Sequence, residues 1–283
     1  MPVIVRFPPS PTGPLHVGGA RTALFNYLFA KQNGGQIFLR IEDTDRVRSK
    51  PEFEKNIIES LDWLGFKFDK IFRQSERTAI YKQHLQKLVV DNLAYQPTGE
   101  TAIRLRNPGQ DITFNDLIRG PIALNTRELG DFVIAKNLDE PLYHLAVVVD
   151  DWETKISHVI RGEDHISNTP RQILIQEALG APRPIYAHIP LILAPDRSKL
   201  SKRHGAVSVT EYRERGFLPE ALINYLALLG WNPGTNQEIF SLTELVRQFS
   251  LTKVQKGGAI FNPDKLKWLN REHLRRAPEA IWQ

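Results

Sequence analysis

Alternating apolar and polar runs predict a strand, a helix and a second strand within the first 41 residues. Residues 3–7 (VIVRF) form a short apolar run typical of a buried strand, and apolar positions recur at helical spacing from about 19 to 32. The segment 33–35 (NGG) ends this helix, because asparagine and glycine tolerate the left-handed conformation at a helix C-terminus. Residues 36–41 (QIFLRI) are the next strand. Strand, helix and strand in this order form a βαβ unit, which predicts a parallel sheet.

The hydrophobic pattern changes twice further along the chain. After two predicted helices at 51–64 and 77–93, short β-like runs from about 94 to 139 (TAIRLR, ITFNDL, PIALN and DFVIAK) predict an insertion with its own small sheet. Strand-like and helix-like runs alternate again from 143 to 192 (HLAVVVDD, SHVIRGED, TPRQILIQEALG and YAHIPLIL). Beyond 199 three segments (VTEYRERGFLPEALINYLALLG, SLTELVRQF and PDKLKWLNREHLRR) have helical spacing, and no convincing strand is predicted. The pattern predicts an α/β sheet split by an insertion and followed by a mostly helical module.

Composition excludes several kinds of protein and of site. With 283 residues, the chain is long enough for one large domain or two smaller ones. It contains no cysteine, which excludes disulfides, thiolate zinc sites and cysteine nucleophiles, and its eight histidines lack metal-ligand spacing. No apolar run approaches the ~20 residues of a membrane-spanning helix, and no leader opens the chain. We therefore expect a cytoplasmic protein that binds neither a membrane nor zinc.

The charged residues are unevenly distributed. The net charge of +5 is by itself a weak indication of a nucleic-acid partner. Basic residues concentrate at 199–203 and 253–276, and acidic residues at 42–45 and 150–153. Scattered, solvated charge is the alternative interpretation.

The loop after the first strand, PPSPTGPLHVGG (residues 8–19), has the features of a nucleotide site. In an open α/β fold this loop lies at the carboxyl edge of the sheet, and the helix that follows attracts phosphate. Gly18 and Gly19 would let a ligand approach the main chain, and His16 could donate a hydrogen bond to a phosphate oxygen. The alternative is a proline-rich turn followed by an incidental histidine.

A second stretch, DRSKLSKR (residues 196–203), carries two lysines three residues apart in a loop after an apolar run. Lys199 and Lys202 are flexible point charges suited to following phosphates as they move. A lone basic loop is usually a solvated surface. The hypothesis that this loop binds phosphate therefore depends on its combination with the loop around His16.

The two stretches together resemble the class I aminoacyl-tRNA synthetases. HVGG (16–19) is similar to that family's first ATP motif, HIGH, and KLSKR (199–203) to its second, KMSKS. RFPPSPTGPLHVGGARTALFNYLFA, RIEDTDR, HLAVVVDDW, VIRGEDHISNTPRQ and KLSKRHGA resemble the glutamyl-tRNA synthetase branch, and the resemblance extends through essentially the whole chain. It implies a Rossmann-like parallel sheet and two reactions. Glutamate is activated by ATP, accompanied by Mg²⁺, and the glutamyl group then passes to the 3′ end of tRNA(Glu).

The resemblance also implies roles for individual residues. His16, Lys199 and Lys202 would be catalytic, and two basic side chains, Arg6 and Arg161, would bind the glutamate carboxylate. For residues 42–46 (EDTDR) the alternative is a surface ion-pair cluster, and for Arg161 a salt bridge with Glu163 or Asp164. The remaining implied residues are Gly18, Gly19, Ile192 and Ser201 at ATP, and Ser10, Glu42 and Tyr143 at glutamate.

The resemblance suggests a division of the chain and departs from the family at two places. The implied parts are two halves of the catalytic domain (1–93 and 140–198), a connective insertion that binds the acceptor end (94–139), and a KMSKS-type loop with a helical stem-contact module (199–283). Near 94–101 many relatives have a longer segment, often with cysteines, so we expect no zinc here. The chain also ends where relatives continue into an anticodon-binding region. A truncated form and a natural short form are both open, as is the charging of tRNA(Gln); a monomer is the family expectation.

Two other functions remain as alternatives. One is the short paralogue that glutamylates queuosine in tRNA(Asp), which also lacks an anticodon module. The segments after 203 look more like the stem-contact module of the synthetase than like that paralogue. The other alternative is a synthetase-like protein that binds RNA without catalysis, but such a protein would have no need for both ATP motifs.

Overall fold

A parallel three-stranded sheet forms the first part of the fold. The computed structural model of the chain describes residues 2–201 and 208–277. Strands β1 (Ile4–Phe7), β2 (Gln36–Ile41) and β3 (Lys70–Arg73) are parallel in the order β1-β2-β3, and helix α1 (Val17–Gln32) connects the first two. All four residues of β1 are buried, as expected for a strand covered on both faces. The predicted βαβ unit is confirmed.

Helix α1 begins two residues earlier than the hydrophobic pattern predicts. The reason is the cap: the His16 side chain accepts hydrogen bonds from the backbone N–H groups of Gly18 and Gly19, which satisfies donors that have no partner inside the helix. The two predicted helices that follow are α2 (Pro51–Trp63) and α3 (Thr78–Val90). Proline at the first position of α2 loses no hydrogen bond.

The predicted insertion contains the strands β4 (Ala94–Tyr95), β5 (Ile103–Leu105), β6 (Asp111–Asp116), β7 (Gly120–Asn125) and β8 (Phe132–Asn137), and β9 (Glu140–Pro141) follows directly after it. Strands β4, β5, β8 and β9 make the expected small antiparallel sheet. The hairpin β6–β7 joins a different sheet, so the insertion shares structure with the part of the chain that follows it.

The next part of the chain forms the second sheet, beside the first. It consists of α4 (Tyr143–Glu153), β10 (His158–Gly162), α5 (Thr169–Leu179) and β11 (Ile185–Ile189). Strand β11 is parallel to β10 and pairs with β6 at Tyr186 and Asp116. Strand β10 lies beside β1, because the Ser157 N–H donates to the carbonyl oxygen of Ile4 at 2.9 Å. This arrangement is the Rossmann-like α/β fold that the sequence predicts.

The remaining elements correct two details of the prediction. They are β12 (Ile192–Leu193), α6 (Val209–Glu214), α7 (Pro219–Leu228), α8 (Leu242–Gln248), β13 (Ala259–Ile260) and α9 (Pro263–Arg276). The prediction of no strand beyond 199 was wrong, because β13 pairs in parallel with β12. The first predicted helical segment is two helices, α6 and α7, because the chain turns at Gly216, whose φ of +77° favours glycine.

One hydrophobic core connects the first sheet with the final helices. It contains buried residues of β1, α1 and β2 together with residues of α6, α7, α8 and α9. A second core lies under the antiparallel sheet and helices α3, α4 and α5. Within the two described ranges, no helix is long and apolar enough to cross a membrane.

Candidate active site

His16 lies where the loop after β1 enters α1, and its hydrogen bonds fix its tautomer. Its Nδ1 lies 3.0 Å from the Gly18 nitrogen and 3.4 Å from the Gly19 nitrogen, and both N–H groups donate to it. Because Nδ1 is an acceptor, the ring proton of the neutral imidazole is on Nε2. Desolvation by the surrounding protein and the positive charge of Lys199 lower the pKa of His16. A neutral ring with Nε2–H available as a donor follows.

Gly18, which the resemblance implies at ATP, has a backbone N–H that already has a partner inside the protein. That N–H is engaged by His16 in this structure. A Cβ at position 18 would lie 2.8 Å from Cε1 of His16, so a larger residue would displace the imidazole. Glycine at position 18 therefore allows the His16 ring to fold back over the start of α1.

The second candidate ATP segment is attached close to His16. Residues 192–200 form a turn in which the Leu200 N–H donates to the carbonyl oxygen of Ile192 at 3.1 Å. Lys199 is exposed, and its Nζ lies 3.2 Å from Asp164 Oδ2. After residues 202–207, the chain returns as an antiparallel bridge between Ser208 and His16. The structure thus brings Lys199 and Ile192 to the side of the fold that carries His16. Ser201 is exposed, and Lys202 lies outside the described residues.

Arg6 is a buried cation with one donor group left over. It is the third residue of β1 and is only 2% exposed. Its Nε and Nη2 groups donate to the Asp151 carboxylate at 3.1–3.4 Å. Among the described residues, its buried Nη1 has no hydrogen-bond partner. A buried unpaired donor on a cation is costly, so this atom is a candidate contact for an anionic ligand.

Arg161, in β10, is a buried cation with no carboxylate partner. Its guanidinium donates to His188 Nε2 (3.1 Å), Gln172 Oε1 (2.7 Å), Thr169 Oγ1 (2.8 Å) and the His165 carbonyl oxygen (3.4 Å). No Asp or Glu of the described ranges forms a salt bridge with it, because Glu163 pairs with Arg119 and Asp164 with Lys199. The alternative of a salt bridge to Glu163 or Asp164 is therefore wrong. Burial lowers the pKa of Arg161, as expected for a cation without its counter-charge.

Glu42 and Tyr143 lie with these arginines. Glu42 is buried after β2, and its Oε1 accepts from Arg40 Nη2 at 3.0 Å. Burial raises the pKa of Glu42 against the opposing charges of Arg40 and Arg6. Burial and then the charge of Glu42 raise the pKa of Tyr143 to about 12, while Arg161 and Arg6 act in the opposite direction. These mutual electrostatic effects show that Arg6, Glu42, Tyr143 and Arg161 lie near one another.

The other predicted residues of this region lie nearby or at its surface. Ser10 is exposed, in a loop held beside Glu42 by the hydrogen bond from the Glu42 N–H to the Pro9 carbonyl oxygen (2.9 Å). The proposed surface ion-pair cluster exists only in part: Asp45 pairs with exposed Arg48 at 2.6 Å, whereas Glu42 is buried.

Sequence reasoning missed the buried ion network beneath the pocket. Arg40 is fully buried and joins Glu42 to Asp151, whose Oδ1 lies 2.6 Å from Arg40 Nη1. Because Asp151 also holds Arg6, two side chains, Asp151 and Arg40, connect Arg6 to Glu42. Asp150, fully buried, accepts from Arg77, Gln74 and Tyr81 at 2.6–2.9 Å. A charged residue inside the apolar run QIFLRI, and a pair of aspartates ending VVVDD, were the available signals.

Two histidines beside the pocket should make stability depend on pH. Burial, followed by the charge of Arg171 for His144 and of Arg161 for His165, lowers each pKa from 6.5 to about 4. Between pH 6.5 and about 4 the unfolded chain therefore binds more protons than the folded one, so stability falls as the pH falls through this window. The wild type loses stability at His144 as the pH falls, whereas His144→Gln has no group that titrates there. The difference between their urea midpoints should therefore shrink as the pH approaches 4. A difference independent of pH between 7.5 and 4 would contradict this origin.

Within residues 2–201 and 208–277, no group of three or more histidine, aspartate or glutamate side chains could hold a metal ion. The structure thus offers no metal centre made from the described side chains alone.

Comparisons with known proteins agree with this geometry. The chain matches the family "tRNA synthetases class I (E and Q), catalytic domain" over residues 2–98 and 96–268. It is 48% identical to the glutamate–tRNA ligase of Carboxydothermus hydrogenoformans, with 97% of this chain and 68% of the relative covered. Glutamate–tRNA ligase 1 of Rubrobacter xylanophilus is 51% identical, with 98% and 65% covered.

A solved structure gives the same result for the fold. The crystal structure of a glutamate tRNA ligase from Elizabethkingia meningosepticum, in complex with its amino acid, superposes with a TM-score of 0.90 at 38% identity. The match covers 98% of this chain and 70% of that one. Because the family model matches most of the chain and the relatives are this similar, the chain belongs to the glutamate–tRNA ligase family of the class I tRNA synthetases.

Proposed function

We propose that this chain activates L-glutamate with ATP and transfers the glutamyl group to the 3′ end of tRNA(Glu). The observation that carries the proposal is the pair of buried arginines. Arg6 has an unpartnered Nη1, and Arg161 has no carboxylate partner among the described residues. An amino acid with an anionic side chain would supply the missing counter-charge. The buried carboxylate of Glu42, in the same pocket, would suit the substrate's α-ammonium group.

The two chemical steps require positioning and charge stabilisation more than acid–base catalysis. The glutamate α-carboxylate oxygen forms a bond to the α-phosphorus of ATP, and the bond to pyrophosphate breaks. A hydroxyl of the terminal ribose of tRNA then takes the glutamyl group and AMP leaves. His16 Nε2–H and the Lys199 ammonium would stabilise negative charge on the phosphates. By resemblance Lys202 does the same, and Gly19, Ile192 and Ser201 complete the ATP site. Mg²⁺ bound with ATP would neutralise part of its charge.

The parts that would meet tRNA are also proposals. The two stretches that match the family model overlap at residues 96–98, in the short turn between β4 and β5. The insertion that would bind the acceptor end (94–139) is therefore small. In the helical module, α9 carries His273, Arg275 and Arg276 in its last turn, which would suit the phosphates of an acceptor stem. We assign the module from 199 to the tRNA stem and the segments 1–93 and 140–198 to catalysis. A monomer working in the cytoplasm accords with a translation enzyme.

A charging assay tests the function against its alternatives. Unmodified transcripts of tRNA(Glu) and tRNA(Asp), and queuosine-bearing tRNA(Asp), are each offered with ATP and labelled glutamate. We expect label on the tRNA(Glu) transcript and a rate that falls steeply with ionic strength, because phosphate contacts release counterions. Label only on queuosine-bearing tRNA(Asp) would identify the short paralogue. Tight tRNA binding with neither charging nor glutamate-dependent ATP–pyrophosphate exchange would identify a binding protein.

A further inference from the structure

His188 connects the candidate carboxylate-binding arginine to an aspartate of the insertion. It lies in β11 and is fully buried. On one side its Nδ1 is 2.6 Å from Asp116 Oδ2, and on the other its Nε2 is 3.1 Å from Arg161 Nε. Asp116 is the last residue of β6, so the insertion reaches into the buried support of the amino-acid pocket.

The groups around the His188 ring favour one arrangement of its proton: Arg161 Nε lies 3.1 Å and Thr169 Oγ1 3.3 Å from Nε2, and the Thr169 hydroxyl already accepts from Arg161. The Arg161 Nε always carries a proton, so His188 Nε2 must accept. The imidazole proton is therefore on Nδ1, from which it is donated to Asp116. Burial lowers the pKa of His188, although the hydrogen bond to Asp116 acts in the opposite direction. A second proton, on Nε2, would place two donors against each other and add a buried charge beside Arg161.

Asp116 is itself held rigidly. One carboxylate oxygen accepts from the backbone N–H groups of Ile118 and Arg119 at 2.9 Å, and the backbone N–H of His188 lies 3.0 Å from the other. Although burial alone would raise the pKa of Asp116, the hydrogen bonds from His188, Arg119 and Ile118 hold it below its usual value. The acceptor for His188 is thus an ionised carboxylate fixed by the main chain.

The orientation of Arg161 then follows. Its Nε bonds to His188, its Nη2 to Thr169 and the His165 carbonyl, and its Nη1 to Gln172. Of the five guanidinium N–H groups, one, on Nη1, is left without a described partner. Because the guanidinium is planar, fixing Nε fixes the direction of this remaining donor.

We propose that Asp116 and His188 are positioning residues for Arg161, which they orient toward the carboxylate of the amino-acid substrate. This inference rests on the proposed function. It assigns to the insertion a part in amino-acid recognition, in addition to any contact with tRNA.

Substitution of Asp116 by asparagine tests the proposal with little change in shape. The amide would donate to His188 Nδ1, move the ring proton to Nε2 and oppose it to the Arg161 Nε–H. We expect KM for glutamate to rise tenfold or more, with kcat and KM for ATP within about twofold, in ATP–pyrophosphate exchange with tRNA present. An unchanged KM for glutamate, or equal effects on both substrates, would overturn the proposal.

Two substitutions of His188 provide a matched pair. The Oε1 of glutamine can occupy the place of Nε2 and accept from Arg161, whereas asparagine reaches only toward Asp116. His188→Gln should therefore keep KM for glutamate within about threefold, and His188→Asn should raise it as Asp116→Asn does. If His188→Gln and His188→Asn both fold and have the same KM for glutamate, His188 does not position Arg161.

The tautomer can be measured without catalysis. In the nitrogen-15 spectrum of the wild-type chain, the His188 resonances, assigned by their loss in His188→Gln, should be those of a neutral Nδ1–H ring. Asp116→Asn should convert them to the Nε2–H form. An Nε2–H ring in the wild type would overturn the proposal, whether or not glutamate is activated. Absence of any glutamate-dependent exchange by the wild type would instead contradict the proposed function.

Discussion

Replacing Arg161 by glutamine is expected to lower kcat/KM for L-glutamate by about 10³–10⁴-fold and to leave KM for ATP nearly unchanged. The reason is that no Asp or Glu of the described residues pairs with this buried guanidinium, so under the proposed function the substrate carboxylate would be its counter-charge. Sites built around one polar partner discriminate by about this factor. The same argument predicts that the wild type activates glutamine about 10⁴-fold less efficiently than glutamate.

The measurement is ATP–pyrophosphate exchange with tRNA present, varying each substrate separately. Arg183→Gln is a suitable control, because Arg183 is a partly exposed arginine that pairs with Glu177 at the surface. It should leave both KM values within about twofold, since exposed ion pairs contribute little. Similar rates with glutamine and glutamate, or a nearly normal Arg161→Gln enzyme, would remove Arg161 from substrate recognition.

Replacing Asp150 by alanine is expected to be the most destabilising single change in the ion network. Arg77, Gln74 and Tyr81 all donate to this fully buried carboxylate, and Arg40 Nε lies 3.8 Å from it. Removing one partner of a buried ion pair leaves the other charge uncompensated and costs about 3–5 kcal/mol. Asp150→Asn keeps an acceptor but loses the charge, so we expect a smaller loss, about 1–3 kcal/mol.

Urea denaturation provides the free energies of unfolding. Asp91→Ala is the matched control, because Asp91 forms an exposed pair with Lys87 one helical turn away, and its loss should change stability by no more than about 0.5 kcal/mol. An Asp150→Ala protein within 1 kcal/mol of the wild type would show that the surrounding cations find other partners.

The sequence predicted the parts of the fold that local patterns control. The βαβ unit, the two following helices and the small antiparallel sheet all correspond to runs with clear periodicity. Strand β13 could not be predicted, because two residues carry no period and its pairing with β12 joins segments 67 positions apart. Likewise, only tertiary contact through Tyr186 decides that the β6–β7 hairpin joins the second sheet. The run HLAVVVDD shows a further difficulty: its three valines suit a strand, yet they lie in helix α4, whose middle is buried.

Candidate site residues were easier to find than the residues that hold them. Motif resemblance pointed to His16, Glu42 and Arg161, whose binding roles stay predictions. Motif resemblance gave no indication of Arg40, Asp116 or His188, because their effect depends on hydrogen bonds between segments distant in sequence. The Arg6–Asp151 contact, for example, spans 145 positions.

The continuous core beneath α1 has a consequence for how this architecture could be recombined. Phe25 of α1 packs against Phe249 with ring centres 5.1 Å apart, and the Arg21 side chain donates to the carbonyl oxygen of Leu229 at 3.0 Å. A gene fusion that exchanged the segment after residue 199 would uncover the apolar side of the very helix that carries His16. The segment that contains β1, α1 and β2 is thus expected to be inherited together with the final helices, whereas the short turn between β4 and β5 is a position where chain length can change without touching either core.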